Sequence, residues 1–275
     1  MRQVWVDGKP SQQIPVDDRG LLLADGAFET FLVREGTVMY VDEHRERLAR
    51  SLGVLQFSTP QQFAQGMIAE SAALIAAVGT TGSARLTVTR GSGPRGYSPP
   101  VDAVPRSLLS FDPLFTPNSA PLTLGWSTVK WPDQPLLSGA KLLARTENIL
   151  AALDARQQQV DDVVMCTQDD RVCSVARGNL FLRVADTLLT PDLSTAGIAG
   201  TRRALILNRF AKVAGYHVTT ASVARAQLLA ADEIFVCNAL WGVRPVARIG
   251  QQQWSDFAAS RALAPLLDPE AAVTW

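Results

Sequence analysis

The stretch SGPRGYSPPVDAVPRSLLSFDPLFTPNSAP, residues 92–121, carries seven prolines, at 94, 99, 100, 105, 113, 117 and 121. Proline fixes φ and removes a backbone donor, so this density reads as a loop and an interdomain linker. A strand at Leu108 to Phe111 is enclosed within it. We therefore expect an N-terminal α/β domain over 1–113, a linker over 114–121 and a larger C-terminal domain over 122–275. N-terminal to the stretch, Val4-Trp5-Val6 precedes an Asp7-Gly8 turn, and Phe28 to Tyr40 holds two strands around Glu35-Gly36. Apolar spacing predicts helices over 43–56 and 61–78 and a strand at 85–89. C-terminal to it, a strand at 122–128 precedes a helix over 139–158, with Leu142, Ile149 and Leu153 on one stripe. Strands at 163–166, 179–184, 233–237 and 243–249 and a helix from Gly200-Thr201 to Gly215 complete the pattern. Without strict βαβ alternation, this is an α+β, mixed-sheet chain rather than a doubly wound one.

Composition narrows the function. Hydrophobic residues make up 47% and charged residues 19% of 275 residues, which is globular rather than disordered. Twenty-six basic residues balance twenty-six acidic ones, so the net charge attracts neither nucleic acid nor anionic membrane. No apolar run follows Met1 to Trp5, and the longest nearly apolar stretch, Ser71 to Val78, is too short to cross a bilayer. A cytoplasmic protein with a small-molecule substrate is expected. Three cysteines, at 166, 173 and 237, form neither a disulfide framework nor a zinc pattern, so no metal is expected.

Only four residues are lysines: Lys9, Lys130, Lys141 and Lys212. A Schiff-base mechanism must use one of them. Lys141 lies in Ser138-Gly-Ala-Lys-Leu-Leu143, at the expected helix start, where small and apolar neighbours favour a less hydrated amine. The alternative is a lysine whose head reaches water. Lys130, beside Trp131-Pro132, is the second candidate. Gly197-Ile-Ala-Gly-Thr-Arg-Arg203 is a small-residue turn entering a helix, suited to a phosphate or to a simple N-cap with two solvent-facing arginines. Arg90-Gly-Ser-Gly-Pro-Arg-Gly-Tyr97 offers two guanidinium groups to a carboxylate substrate, or is an exposed polar loop. His44 and His217 are far apart and read as packed or surface residues.

Four stretches together resemble the fold type IV family of pyridoxal 5'-phosphate (PLP) enzymes, the branched-chain and D-amino acid aminotransferase-like group. They are Asp25-Gly-Ala-Phe-Glu-Thr30, His44-Arg-Glu-Arg-Leu48, Lys141 with Arg145, and Gly178-Asn-Leu-Phe181 followed by Thr190-Pro191. Arg90 to Ser98 and Cys237-Asn-Ala-Leu240 resemble a lyase branch of that family, which releases pyruvate from an amino-substituted chorismate to leave 4-aminobenzoate. The resemblance implies a homodimer of two-domain subunits with PLP between the domains. It implies Lys141 as the residue that holds PLP covalently and Thr30 as a proton-transfer helper. Arg47, Gly200, Thr201 and Arg202 would hold the phosphate, and Ser174, Asn238 and Ala239 would complete the cofactor site. Arg90, Arg95, Tyr97 and Asn238 would contact substrate.

One position departs from the family. The glutamate that ordinarily faces the pyridine nitrogen is replaced by Ser174, in Val172-Cys-Ser-Val-Ala-Arg-Gly178. A hydroxyl does not keep that nitrogen protonated as a carboxylate does. This disfavours an aminotransferase for D- or branched-chain amino acids, and it leaves open a noncatalytic protein on the same fold. Glu29, or a shifted backbone, would have to stand in.

Overall fold

A computed structural model describes residues 2–113, 120–270 and 275. Most of the expected linker, 114–119, lies outside the described residues. The chain divides into two compact units, Met1–Thr116 with Ala140–Ala144, and Pro117–Gly139 with Arg145–Trp275. The segment bearing Lys141 thus groups with the N-terminal unit rather than with the C-terminal residues around it.

The first unit contains β1 (Gln3–Val6), β2 (Lys9–Pro10), α1 (Arg19–Leu23), β3 (Gly26–Arg34), β4 (Thr37–Val38), α2 (Val41–Val54), α3 (Pro60–Val78), β5 (Gly82–Thr89) and β6 (Arg106–Asp112). Its six strands are ordered β2-β1-β6-β5-β3-β4, every pairing antiparallel. Phe31, Val33, Leu48, Leu52, Ile68, Ile75, Leu86 and Phe111 form its core. The inward face of α2 is only partly apolar: His44, Arg47 and Ser51 are buried beside Leu48 and Leu52. Buried polar groups require partners, and these are supplied by β3 and by the Lys141 segment.

The second unit contains β7 (Leu122–Trp126), α4 (Thr146–Gln158), β8 (Asp162–Cys166), β9 (Val172–Val175), β10 (Asn179–Val184) and β11 (Thr187–Pro191). A helix then runs as α5 (Thr201–Leu205), a π turn (Ile206–Phe210) and α6 (Ala211–Val213). It is followed by β12 (His217–Ala221), α7 (Arg225–Leu229), β13 (Glu233–Asn238), β14 (Gly242–Ile249), β15 (Gln252–Gln253) and α8 (Ala258–Leu267). The nine-stranded sheet has the path β12-β11-β10-β13-β14-β7-β8-β9, with β15 beside β14. Pairings β11–β12, β14–β7 and β7–β8 are parallel and the rest antiparallel, so the mixed sheet expected from the sequence is present.

Two expectations are corrected. The helix expected over 139–158 begins at Thr146, and the Lys141 segment is extended, bridging Ala27 through Leu142. The expected stripe on α4 does not face the core: Ile149 is 61% and Leu153 48% exposed. The buried positions are Ala151 and Ala155, whose small side chains allow close approach.

Candidate active site

In the first unit, Lys141 is fixed at its backbone from two directions. Its N–H donates to Ser51 Oγ at 2.9 Å, and its carbonyl accepts Phe28 N–H at 3.0 Å. Leu143 N–H donates to the Gly26 carbonyl at 3.0 Å. Gly26 is required by this crowding, since a Cβ there would lie 2.2 Å from the Val88 carbonyl and 2.9 Å from Leu143. Lys141 Nζ sits 4.2 Å from the Phe28 ring centroid, where the π face attracts a cation. Arg85 Cζ lies 3.7 Å from the same ring, and burial lowers the Arg85 pKa. Strand alternation puts Thr30 on the Phe28 face of β3, opposite Arg85 in the register.

The other face of β3 carries Glu29, which is fully buried. Arg47 Nε donates to it at 2.8 Å, Arg47 Nη2 makes a second, shorter contact, and His44 Nδ1 lies at 2.6 Å. Burial alone would raise the Glu29 pKa, but the charge and hydrogen bonds of Arg47 and His44 prevail and hold it at about 2. Glu29 is therefore committed to α2, which removes it as a stand-in for the missing glutamate. His44 is the packed residue of the two sequence readings. This triad is legible in the sequence only as polar residues among the apolar positions of α2.

The four lysines separate clearly. Lys9 and Lys212 are exposed. Lys130 Nζ is paired with Asp170 at 3.0 Å and donates to the Gln168 carbonyl at 3.1 Å. Lys141 alone combines a pinned backbone with an amine over an aromatic ring.

In the second unit, Asn179 shapes the turn before α5. Its amide donates to the Ile198 carbonyl at 2.9 Å and its side-chain oxygen accepts Gly200 N–H at 3.1 Å. A Cβ on Gly200 would stand 2.1 Å from that oxygen. No side chain caps α5, and Thr201 Oγ1 is buried without a hydrogen-bond partner. An uncapped helix start with an orphaned hydroxyl suits an anion rich in acceptors, so these residues fit a phosphate group. The reading with two solvent-facing arginines does not hold. Arg202 is 1% exposed with Nη2 on the Ala239 carbonyl at 3.1 Å, and Arg203 bonds Thr190 Oγ1 and the Pro191 carbonyl at 3.1 and 3.0 Å.

Asn238 closes the β13–β14 turn. Its oxygen accepts Leu240 and Trp241 N–H at 3.0 and 2.8 Å, and its amide donates to the Arg177 carbonyl at 3.1 Å. Ser174 Oγ accepts Trp131 Nε1–H at 2.9 Å. Arg145 Cζ is 6.0 Å from the Trp131 ring, and burial, partly offset by Glu147, lowers its pKa to about 10. Trp131 went unread from the sequence except as a neighbour of Lys130.

The substrate-contact candidates differ in character. Arg90 is buried, with Nε on both Asp25 oxygens at 3.1 and 2.9 Å, Nη2 on the Leu55 carbonyl at 2.5 Å, and its guanidinium 4.1 Å from the Phe57 ring. Arg95 is exposed, and Tyr97 is 90% exposed.

A pinned lysine, an anion-ready helix start and two mixed α/β units define a class, and comparison with known proteins agrees: residues 26–249 match the class IV amino-transferase family, and the chain belongs to it. Among its relatives is an aminodeoxychorismate lyase of Vibrio harveyi, 32% identical over 251 residues, covering 89% of this chain and 90% of the relative. The crystal structure of 4-amino-4-deoxychorismate lyase from Pseudomonas aeruginosa is similar at a TM-score of 0.89 and 35% identity, covering 97% of this chain and 98% of that one. A hypothetical aminotransferase from Mycobacterium tuberculosis in its PLP-bound form shares the fold, with a TM-score of 0.79, 20% identity and 97% of each chain covered. The family expected from the sequence is thus borne out.

Proposed function

We propose that this chain is a PLP-dependent lyase that converts 4-amino-4-deoxychorismate to 4-aminobenzoate and pyruvate, the reaction that supplies 4-aminobenzoate for folate. The observation that carries the reading is the placement of Lys141, in a chain 35% identical to a lyase of that name over nearly its whole length. PLP, when bound, supplies a carbonyl that condenses with amines and a ring that takes up electrons. Lys141 Nζ is the group that would hold it, and as a free amine it would be the base that takes the substrate ring proton. Thr30, on the same strand face as Phe28, assists that transfer. Gly200, Thr201 and Arg202 would hold the phosphate, Arg47 would supply a further positive charge for it, and Asn238 and Ala239 would border the cofactor through the turn that Arg202 anchors.

Ser174 is the residue that would face the pyridine nitrogen of bound PLP, and it would do so with a hydroxyl. An indole N–H is only a donor, so the serine oxygen accepts from Trp131 and its own proton is left to donate. A donor at that position suits a neutral ring nitrogen, a weaker electron sink than a protonated one. Elimination tolerates this because the ether C–O bond breaks as the six-membered ring becomes aromatic. The ring hydrogen leaves to the base, the departing enolpyruvate takes up a proton to become pyruvate, and no oxidant is needed. Arg95 and Tyr97 on the exposed loop, with Arg90 and Asn238, are the residues we assign to substrate contact. We further assign a cytoplasmic homodimer. The exposed Ile149, Leu150 and Leu153 on α4 support a subunit contact, and no described helix is long and apolar enough to cross a membrane.

The test is pyruvate release from 4-amino-4-deoxychorismate by PLP-loaded protein. Pyruvate forming in step with 4-aminobenzoate supports the lyase. Amino transfer to a keto acid without pyruvate would replace it with an aminotransferase.

A further inference from the structure

The loop after β5 presents Arg95 and Tyr97 to solvent, and residues 94–99 are all exposed. Gly96 has φ +110, with open space around it. Such a tip has no packing of its own to hold it. Its base is tied to the segment before α1. Arg19 N–H donates to the Gly91 carbonyl at 2.8 Å, Ser92 Oγ donates to Asp17 Oδ1 at 2.8 Å, and Gly93 N–H donates to the Asp17 carbonyl at 3.3 Å. Beyond Gly93, among the described residues, the hydrogen bonds reaching 94–99 come from one side chain. Arg19 Nη1 donates to the Gly96 carbonyl at 3.0 Å and Nη2 to the Tyr97 carbonyl at 2.8 Å.

Arg19 is suited to this task by its setting. It is 2% exposed, so its guanidinium does not move freely in water. Its Nε donates to Asp25 Oδ2 at 2.9 Å, the same carboxylate that Arg90 grips. The stem runs beneath Gly93, where a Cβ would come 2.9 Å from Arg19 Cδ. One carboxylate thus anchors two arginines: Arg90 ties it to the Leu55 carbonyl and the Phe57 ring, and Arg19 extends from it to the loop tip. A guanidinium presents its N–H groups in a planar fork, so fixing Nε on Asp25 also fixes where Nη1 and Nη2 point.

We propose that Arg19 is a positioning residue that sets substrate affinity, by clamping the two backbone carbonyls on either side of Tyr97, within and just after the Arg95–Tyr97 contact pair. The proposal rests on the reading above in which that loop meets the substrate. Arg19 touches neither the reacting atoms nor the cofactor-holding lysine. Its loss weakens binding in the ground and transition states alike, which raises KM and leaves kcat nearly unchanged.

The experiment compares Arg19→Lys, Arg19→Met, Arg95→Ala and the double variant Arg19→Lys/Arg95→Ala as PLP-loaded enzymes on 4-amino-4-deoxychorismate. Lysine keeps the charge but not the fork, so both Arg19 variants should raise KM about tenfold or more, with kcat within about threefold. The double variant should be little worse than Arg95→Ala alone, because the clamp acts through that contact. Trypsin cleavage after Arg95 should quicken in Arg19→Lys, while amide exchange in β3 and β5 stays unchanged. An unaltered KM in both Arg19 variants, beside a raised KM in Arg95→Ala, would overturn the clamp and spare the substrate reading. An unaltered KM in Arg95→Ala would overturn both. Faster exchange across β3 and β5 together with a fall in kcat would make Arg19 a general fold residue and would also overturn the proposal.

Discussion

Trp131 Nε1 donates to Ser174 Oγ at 2.9 Å, and both residues are buried, so one lone pair of the serine oxygen is taken and its proton is turned away from the indole. Replacing Trp131 with Phe leaves the hydroxyl free to reorient and removes a buried hydrogen bond worth roughly 1 kcal/mol. We expect Trp131→Phe to lower the melting temperature by a few degrees and kcat by less than tenfold, read by thermal melts and pyruvate release. Ser174→Glu should leave lyase activity within about tenfold, roughly 1.4 kcal/mol of barrier. A much larger loss would mean that the hydroxyl is required as a donor.

Lys141→Ala should abolish both turnover and the visible absorbance of bound PLP, while Lys130→Ala should preserve both. Lys130 makes a partly exposed pair with Asp170, and such pairs contribute about 0–1 kcal/mol. A spectrum that survives the first change and fails in the second would move the covalent role to Lys130.

The Glu29 carboxyl sits at about 2 in the folded chain against an ordinary 4.5. A depressed carboxyl stabilises the fold above its unfolded pKa, and that contribution is lost as the pH falls from about 4.5 toward 2. Over this window the loss is about 3 kcal/mol. Urea melts at pH 6 and pH 3 should show roughly 2 kcal/mol of it, since pH 3 lies only partway through the window, and Glu29→Gln should shrink the difference between them. At neutral pH the same substitution leaves Arg47 buried without its carboxylate, at a cost of about 3–5 kcal/mol.

Gly200→Ala forces a Cβ to within 2.1 Å of Asn179 Oδ1, so either the asparagine or the turn must shift. We expect PLP affinity to fall at least tenfold, about 1.4 kcal/mol, when followed by fluorescence titration. Asn179→Ala should act in the same direction, because the turn then loses its two side-chain contacts.

How much of this was legible in the sequence depended on how local the signal was. Strands β3, β5, β10, β13 and β14 announce themselves through apolar content and bounding turns. Strand β12 lies at a sheet edge with mostly exposed residues, and α8 carries Pro265 inside it, so neither gave a periodic cue. The Lys141 segment reads as helical because Ala140 to Leu143 has nothing local against a helix. Its extended form comes from pairing with residues more than a hundred positions earlier, a tertiary contact that overrides propensity. Arg202 and Arg203 looked like surface charge because their partners are backbone carbonyls elsewhere in the chain. Arg19 was invisible for the same reason: its loop partners lie 77 and 78 residues away.

The way the Lys141 main chain is bolted to Ser51 and Phe28 limits what can travel during turnover. A lysine with the two roles proposed for Lys141, holding a cofactor and taking a proton, could be carried by a swinging loop. Here the strand cannot swing without breaking those bonds, so the displacement falls to the four side-chain torsions beyond Cα. Rotations of that kind take picoseconds to nanoseconds, far faster than a typical turnover. The lysine would then never be the slow component, and the pace of the cycle would be set by bond breaking or by departure of the products.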